Sequence, residues 1–262
     1  MTEPSITLDM SDGIAWLTMS RPDKRNAIDP DFAQALEELA DRCAADPQVR
    51  CVVLTGSGRF FSVGGDVATF AAAGDGVSDA VGALARNLHA GVYRLATMEK
   101  PLVTAINGPA AGAGLSLAIL GDIAIAAASA HFTMAYSAIG FTPDGGASWW
   151  LPRLVGMRRA QEMLLTNRRI DAEEAAAIGL VTRTVSDDAL SAAALETAAA
   201  LSKGPTRALG GGRALLRESA TTELKKHLES EAASIASMAG FPEGREGIAA
   251  FSERRPPIYR RC

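Results

Sequence analysis

The chain has 262 residues, of which 48% are hydrophobic and 21% charged, with a formal net charge of -4 at pH 7. That length and apolar fraction suffice for one substantial core, and the acidic balance argues against a general nucleic-acid binder, which carries a basic footprint. Cys43, Cys51 and Cys262 are far apart and odd in number, so neither a metal-ligand spacing nor a disulfide framework is expected.

Residues 1–13 are polar and acidic, with no basic or apolar leader pattern. Together with the cysteine usage this predicts a cytoplasmic protein. Residues 5–9 and 14–19 read as two short strands separated by Ser11-Asp12-Gly13. A turn-type segment, Arg21-Pro22-Asp23-Lys24-Arg25-Asn26, precedes a helix from about residue 30, with Asp29 as N-cap and Pro30 at the first helical position. Residues 51–55 lack a polar face and predict a fully buried parallel strand. The small residues of 71–78 predict a mobile loop. Val81, Leu84, Leu88, Val92 and Leu95 share one face of a helix over 80–99.

A second buried strand is expected at 102–106, a helix over 113–120 and a strand at 123–127. The longest apolar stretch, 115–128, is interrupted by Gly121 and Asp122, so it reads as core and not as a membrane span. Beyond Trp149 helices dominate, with turns near Asn167, Gly204 and Gly240. The basic groups at Arg21, Lys24 and Arg25, at Arg158 and Arg159, at Arg168 and Arg169, and at Arg254, Arg255, Arg260 and Arg261 read as solvated surface charge. The order of elements predicts an α/β core of parallel strands with a helical C-terminal part.

Two segments share a strand–turn–helix form rich in small residues: Phe60-Phe61-Ser62-Val63-Gly64-Gly65-Asp66, and Asn107-Gly108-Pro109-Ala110-Ala111-Gly112-Ala113-Gly114. Small residues admit a ligand close to the backbone. Helix N-termini offer unpaired N–H groups, and two such turns converging on one point would make an oxyanion hole. Neither segment carries the Gly-Lys-Ser/Thr of a phosphate loop.

FFSVGGDV resembles the F-S-x-G-x-D motif, and INGPAAGAGLSLAILGDIAIA the N-G-x-A-x-G-G-G motif, of the enoyl-CoA hydratase/isomerase (crotonase) family. RPDKRNAI, IGFTPDGGASWWLPRLVG, IDAEEAAAIGLV and FSERRPPIY are similar to further family segments, in family order. The resemblance implies a ClpP/crotonase-like spiral of ββα units over residues 1–200 and a C-terminal helical trimerisation region over 201–262. It also implies an acyl-CoA substrate that brings its own coenzyme A, no separate cofactor or metal, no nucleic-acid or membrane partner, and a homotrimer or a hexamer of two trimers.

By the same resemblance the oxyanion donors are the backbone N–H groups of Gly65 and Ala113. The two glutamates with which family hydratases activate water align with Ser116 and Tyr136, and neither of these is a base near neutral pH. Asp144, in Thr142-Pro143-Asp144-Gly145-Gly146, matches the aspartate that serves as acid in some family isomerases and as nucleophile in 4-chlorobenzoyl-CoA dehalogenase. His89 stands where that dehalogenase has a histidine, although its flanking tryptophan positions hold Leu88 and Tyr136 here. Asp66, His89, Ser116, Tyr136 and Trp149 are expected to contact the substrate. Lys24 and Arg25 are expected near the nucleotide, the Val63 backbone near adenine, and Phe251 and Arg254 at the nucleotide end, donated by a neighbouring subunit. Arginine forks suit phosphate. The walls of the acyl pocket are expected from 68–78, 80–99 and 136–150.

The leading expectation is therefore an enoyl-CoA isomerase, for a double bond or a ring, with Asp144 as acid and base. In the same fold, the alternatives are a hydratase with altered catalytic groups and a dehalogenase-like hydrolase. A weakly catalytic binding protein, such as the RNA-binding members of the family, is the alternative of another class. The acidic balance and the absence of a lysine-rich helix stand against it.

Overall fold

A computed structural model describes residues 4–259. Arg260, Arg261 and Cys262 lie outside the described residues. β1 (Ile6–Ser11) and β2 (Ile14–Met19) form an antiparallel hairpin. Parallel strands β3 (Cys51–Gly56), β4 (Leu102–Ile106), β6 (Ile123–Ala127) and β9 (Arg183–Val185) extend it into a six-stranded sheet of order β1-β2-β3-β4-β6-β9. A smaller sheet, of order β5-β7-β8, joins β5 (Ala110–Ala111), β7 (His131–Thr133) and β8 (Ile170–Asp171).

Both faces of the large sheet are covered, which is why its strands read as apolar runs without alternation. Val52 and Leu54 of β3 face a core shared with α1 (Pro30–Ala45) and α3 (Val77–Thr97). Cys51, Val53, Val103, Ala105 and Ile125 face the opposite way, onto Leu190, Ala194 and Ala198 of α8 (Leu190–Lys203). The Asp29 carboxylate caps α1 by accepting from the Phe32 N–H at 2.9 Å, the arrangement expected from Asp29-Pro30. Cys43 and Cys51 are free and buried. Burial pushes their thiols up to about 11 and about 12 respectively, so neither supplies a reactive thiolate near neutral pH.

One expectation is corrected. The segment expected as a loop over 71–78 is mostly helical: α2 (Val67–Ala72) is followed by a single turn at Gly74–Gly76, and α3 begins at Val77. The alanines that suggested mobility are good helix formers. β7, β8 and β9 were not foreseen, because two or three residues carry no readable period. α8 runs through position 200 and packs on the sheet, and α9 (Thr206–Glu218) follows it.

α9, α10 (Leu224–Gly240) and α11 (Pro242–Glu253) are held to the core by arginines, among them Arg50 and Arg213. The Arg50 guanidinium donates to the carbonyls of Ser202 and Gly204, both at 2.8 Å, and pairs with Glu243 at 3.2 Å. Arg213 pairs with Asp122 at 2.7 Å and donates to the carbonyls of Lys100 (2.6 Å) and Leu95 (3.1 Å). The conspicuous Asp122 of the second motif is thus a structural tie, and it also accepts from the Leu102 N–H at 2.7 Å. Among the described residues, no helix is long and apolar enough to cross a membrane.

Candidate active site

The first glycine turn follows β3 and is braced from the segment before α1. Asn26 sits in the left-handed region at φ 53°, and its amide donates to the carbonyls of Ser57 (3.0 Å) and Phe60 (2.8 Å). Ser62 Oγ donates to the Asn26 carbonyl at 2.8 Å and accepts from the Gly64 N–H at 3.1 Å. The second turn leaves β4, passes through β5 and enters α4 (Ala113–Ala118). The Ala111 N–H donates to the Ser62 carbonyl at 3.0 Å, which ties the two turns together.

Their backbones touch. A β-carbon on Gly64, at φ 88°, would stand 2.7 Å from the Ala111 carbonyl oxygen and 3.1 Å from the Ala113 nitrogen, so only glycine fits there. Gly65 and Ala113 line one cavity of about 790 Å³. Among the described residues, neither of their N–H groups meets a backbone acceptor. Two unengaged backbone donors on one cavity wall are what an oxygen gaining negative charge requires. The methyl group of Ala113 leaves its N–H in place.

Asp144 lines the same cavity and is the only carboxylate among the described residues that do so. Tyr136 Oη donates to its Oδ1 at 2.7 Å. Ser116 Oγ lies 2.9 Å from Tyr136 Oη and also donates to the Asp144 carbonyl at 2.9 Å. Burial, and then the neighbouring Asp144 charge, push the Tyr136 phenol well above its ordinary value. The phenol therefore stays protonated and acts as a donor to the carboxylate. Among the described residues no donor engages Asp144 Oδ2. Gly145, at φ 59°, seats this turn on Ser116; a β-carbon there would come 2.8 Å from Ser116 Cβ.

His89, on α3, accepts from the Gly145 N–H through Nε2 at 3.0 Å. Accepting a hydrogen bond requires a lone pair on Nε2, which puts the ring proton on Nδ1. The imidazole therefore steadies the backbone beside Asp144, and His89 is not among the cavity's lining residues.

The fold gathers Gly65, Ala113, Tyr136 and Asp144 on the cavity wall with Val63, and it places Ser116 and His89 directly behind them. The Val63 N–H is engaged by the Arg25 carbonyl at 3.2 Å, which leaves the Val63 carbonyl to meet a ligand. Other expected contacts stand elsewhere. Asp66 caps α2 by accepting from the Thr69 N–H at 3.4 Å and faces Arg21 at 3.8 Å. Trp149 packs edge-on against Trp150, with ring centroids 4.3 Å apart, under the Arg153 guanidinium. Lys24 and Arg25 are exposed, and the Arg25 guanidinium lies over the Phe60 ring. Phe251 is 88% exposed, and Arg254 ends α11 in the left-handed region; neither lines the cavity. Asn26 and Ser62 were overlooked as braces, although both lie inside the quoted motifs.

Comparison with known proteins identifies the family. The family model described as enoyl-CoA hydratase/isomerase matches residues 9–261. The chain is 35% identical to the 1,2-epoxyphenylacetyl-CoA isomerase of Escherichia coli (strain K12), over 94% of this chain and 95% of that one. It is 34% identical to 4-chlorobenzoyl coenzyme A dehalogenase-2 of an Arthrobacter species, over 95% and 91%. Among solved structures, an enoyl-CoA hydratase from Polaromonas sp. JS666 superposes with a TM-score of 0.92 at 33% identity, covering 96% of this chain and 98% of that one. With a cavity served by two glycine turns and a family match along nearly its whole length, the chain belongs to the enoyl-CoA hydratase/isomerase family of the crotonase superfamily.

Proposed function

We propose that the protein is an enoyl-CoA isomerase, acting on a double bond or a ring, that holds the thioester carbonyl on the Gly65 and Ala113 N–H groups and moves the proton with Asp144. One observation carries this reading: among the described residues, the cavity that holds both backbone donors contains a single carboxylate, with one oxygen fixed by Tyr136 and the other unengaged. For a 3-enoyl thioester, Asp144 Oδ2 takes a proton from C2. The electron pair delocalises into the thioester carbonyl, and the resulting enolate oxygen is held by the two N–H groups. The enolate then takes the same proton at C4 from Asp144, leaving a double bond between C2 and C3. Atoms and charge balance, and no group beyond the substrate and the side chain takes part.

Hydration by two glutamates is disfavoured because the matching positions are Ser116 and Tyr136, whose hydroxyls are engaged with each other and with Asp144. A second reading, nucleophilic attack by Asp144 on a haloaryl thioester, draws support from His89 next to that turn. A panel of 2-enoyl, 3-enoyl, ring-epoxide and haloaryl CoA thioesters with product identification separates these outcomes. We expect turnover of a 3-enoyl or ring substrate to its isomer; turnover of the haloaryl thioester alone, with a trapped aspartyl ester, would replace this reading with the second.

The same reading extends to assembly. α9–α11 expose Leu216, Leu224, Leu228, Ile235, Ile248 and Phe251, and apolar side chains gathered on one helical region in this way suit an interface. A trimer, or a hexamer of two trimers, buries these side chains and brings Phe251 and Arg254 to a neighbour's nucleotide. Light scattering at micromolar concentration should give a mass of three or six chains, and a monomeric mass would contradict the assignment.

A further inference from the structure

The cavity does not end at a solid wall. Next to it lies a second, more open apolar recess of about 310 Å³, and the two share Val67, Phe70, Val77, Ile139 and Phe141 as common walls. Within that partition Phe70 and Phe141 form a tilted pair with ring centroids 6.1 Å apart. Both rings are only partly buried, packed at the margin of the core. The Phe70 ring also reaches back to the thioester end: a β-carbon on Gly65 would stand 2.9 Å from its Cζ. On the far side the recess is rimmed by Gly74, where an added β-carbon would meet nothing within 4 Å. The recess therefore opens toward unfilled space and not into the core.

The chemistry of the main cavity is as restrictive as its shape. Among the described residues that line it there is no lysine, arginine or histidine, and the one carboxylate is Asp144. An acyl group that carries its own carboxylate would bring a second negative charge near the first, with no cation among the described lining residues to offset the loss of water.

We infer that the Phe70–Phe141 pair is a specificity-determining partition: it closes the acyl pocket on the side of the recess, limits the length of the acyl group, and separates the pocket from a recess that longer chains would enter if either ring were removed, while the uncharged lining around it favours uncharged, apolar acyl groups. This rests on the thioester reading above, because it takes the cavity to hold the acyl group, but it does not depend on which proton moves. Neither ring carries a polar atom, so the pair acts by excluding volume.

The test measures binding, not turnover. Unreactive saturated acyl-CoA thioesters from butanoyl to hexadecanoyl, with glutaryl-CoA as the charged probe, are titrated by calorimetry into wild type, Phe70→Ala, Phe141→Ala and Phe141→Leu. Thermal melts confirm that each variant is folded. For wild type, affinity should rise with chain length to a break and fall beyond it. In Phe70→Ala or Phe141→Ala the break should move to longer chains. The affinity ratio of dodecanoyl-CoA to butanoyl-CoA should then rise at least about tenfold, the effect of burying about two further methylenes. Phe141→Leu, which fills part of the gap and guards against a misfolded alanine variant, should give a smaller shift in the same direction. Glutaryl-CoA should bind wild type at least about tenfold more weakly than the neutral thioester of equal length.

A chain-length profile unchanged in all folded variants would overturn the partition and leave the thioester reading standing. Equal affinity for glutaryl-CoA and its neutral counterpart would overturn the restriction on charge. If no saturated acyl-CoA bound at all, the thioester reading would fall, and this inference with it.

Discussion

Asp144→Asn should retain acyl-CoA affinity and lose isomerase turnover by ~10²–10⁴-fold, the usual contribution of a positioned acid–base group. Asparagine nearly matches aspartate in size and can still accept from Tyr136 Oη, so the turn packed on Ser116 should persist. Binding rests on backbone donors and on apolar walls, which the substitution leaves alone. What disappears is the oxygen that takes and returns the proton. Ser116→Ala should cost far less, because its hydroxyl touches Tyr136 and the Asp144 carbonyl and does not itself line the cavity. Tyr136→Phe should fall between the two, at about a tenfold loss in kcat, as expected for one hydrogen bond to a charged group. Steady-state kinetics and calorimetric Kd values on all three variants check the ordering. If Asp144→Asn were fully active while Ser116→Ala or Tyr136→Phe was inert, the acid would have been misassigned.

Gly65→Pro removes the other half of the chemistry. Proline has no N–H, and Gly65 lies in a turn whose partner bridge runs to Ile28. Losing one preorganised oxyanion donor typically costs ~10²–10³-fold in kcat, so turnover should drop by at least about 10²-fold. Circular dichroism must show an intact fold, since the ring also meets Phe70. A direct readout is the thioester carbonyl stretch of a bound, unreactive acyl-CoA. It should shift to lower frequency in wild type, where two N–H groups polarise it, and less in Gly65→Pro. Full turnover by the folded variant would show that this N–H does not hold the oxyanion.

Much of this arrangement is legible along the chain because it is local. Strand–turn–helix punctuation marks both glycine turns, and Asp29-Pro30 marks the start of α1 where the structure has it. Apolar runs at β3, β4 and β6 mark strands covered on both faces. What could not be read depends on distance in sequence. Ser116, Tyr136 and Asp144 meet across 28 positions, and nothing in their local spacing announces a shared hydrogen-bond network. Phe70 and Phe141 pair at the edge of the cavity from segments far apart in the chain. Asp66 looks like a site residue in its motif, yet its carboxylate caps the helix that follows it, and a short acidic residue before a helix serves that purpose in many contexts. Trp149 has the size to wall a pocket, but its indole packs edge-on against Trp150 and is not among the cavity's lining residues.

The account stands most directly on where one proton goes. A 3-enoyl-CoA carrying two deuterons at C2 should react with a primary isotope effect on kcat/KM. Mass and NMR analysis of the 2-enoyl product should find one deuteron gone from C2, delivered to C4 or washed into solvent, and Asp144→Asn should abolish both signals. No primary isotope effect, with the 2-enoyl product formed equally fast by wild type and Asp144→Asn, would contradict a proton shift by this carboxylate.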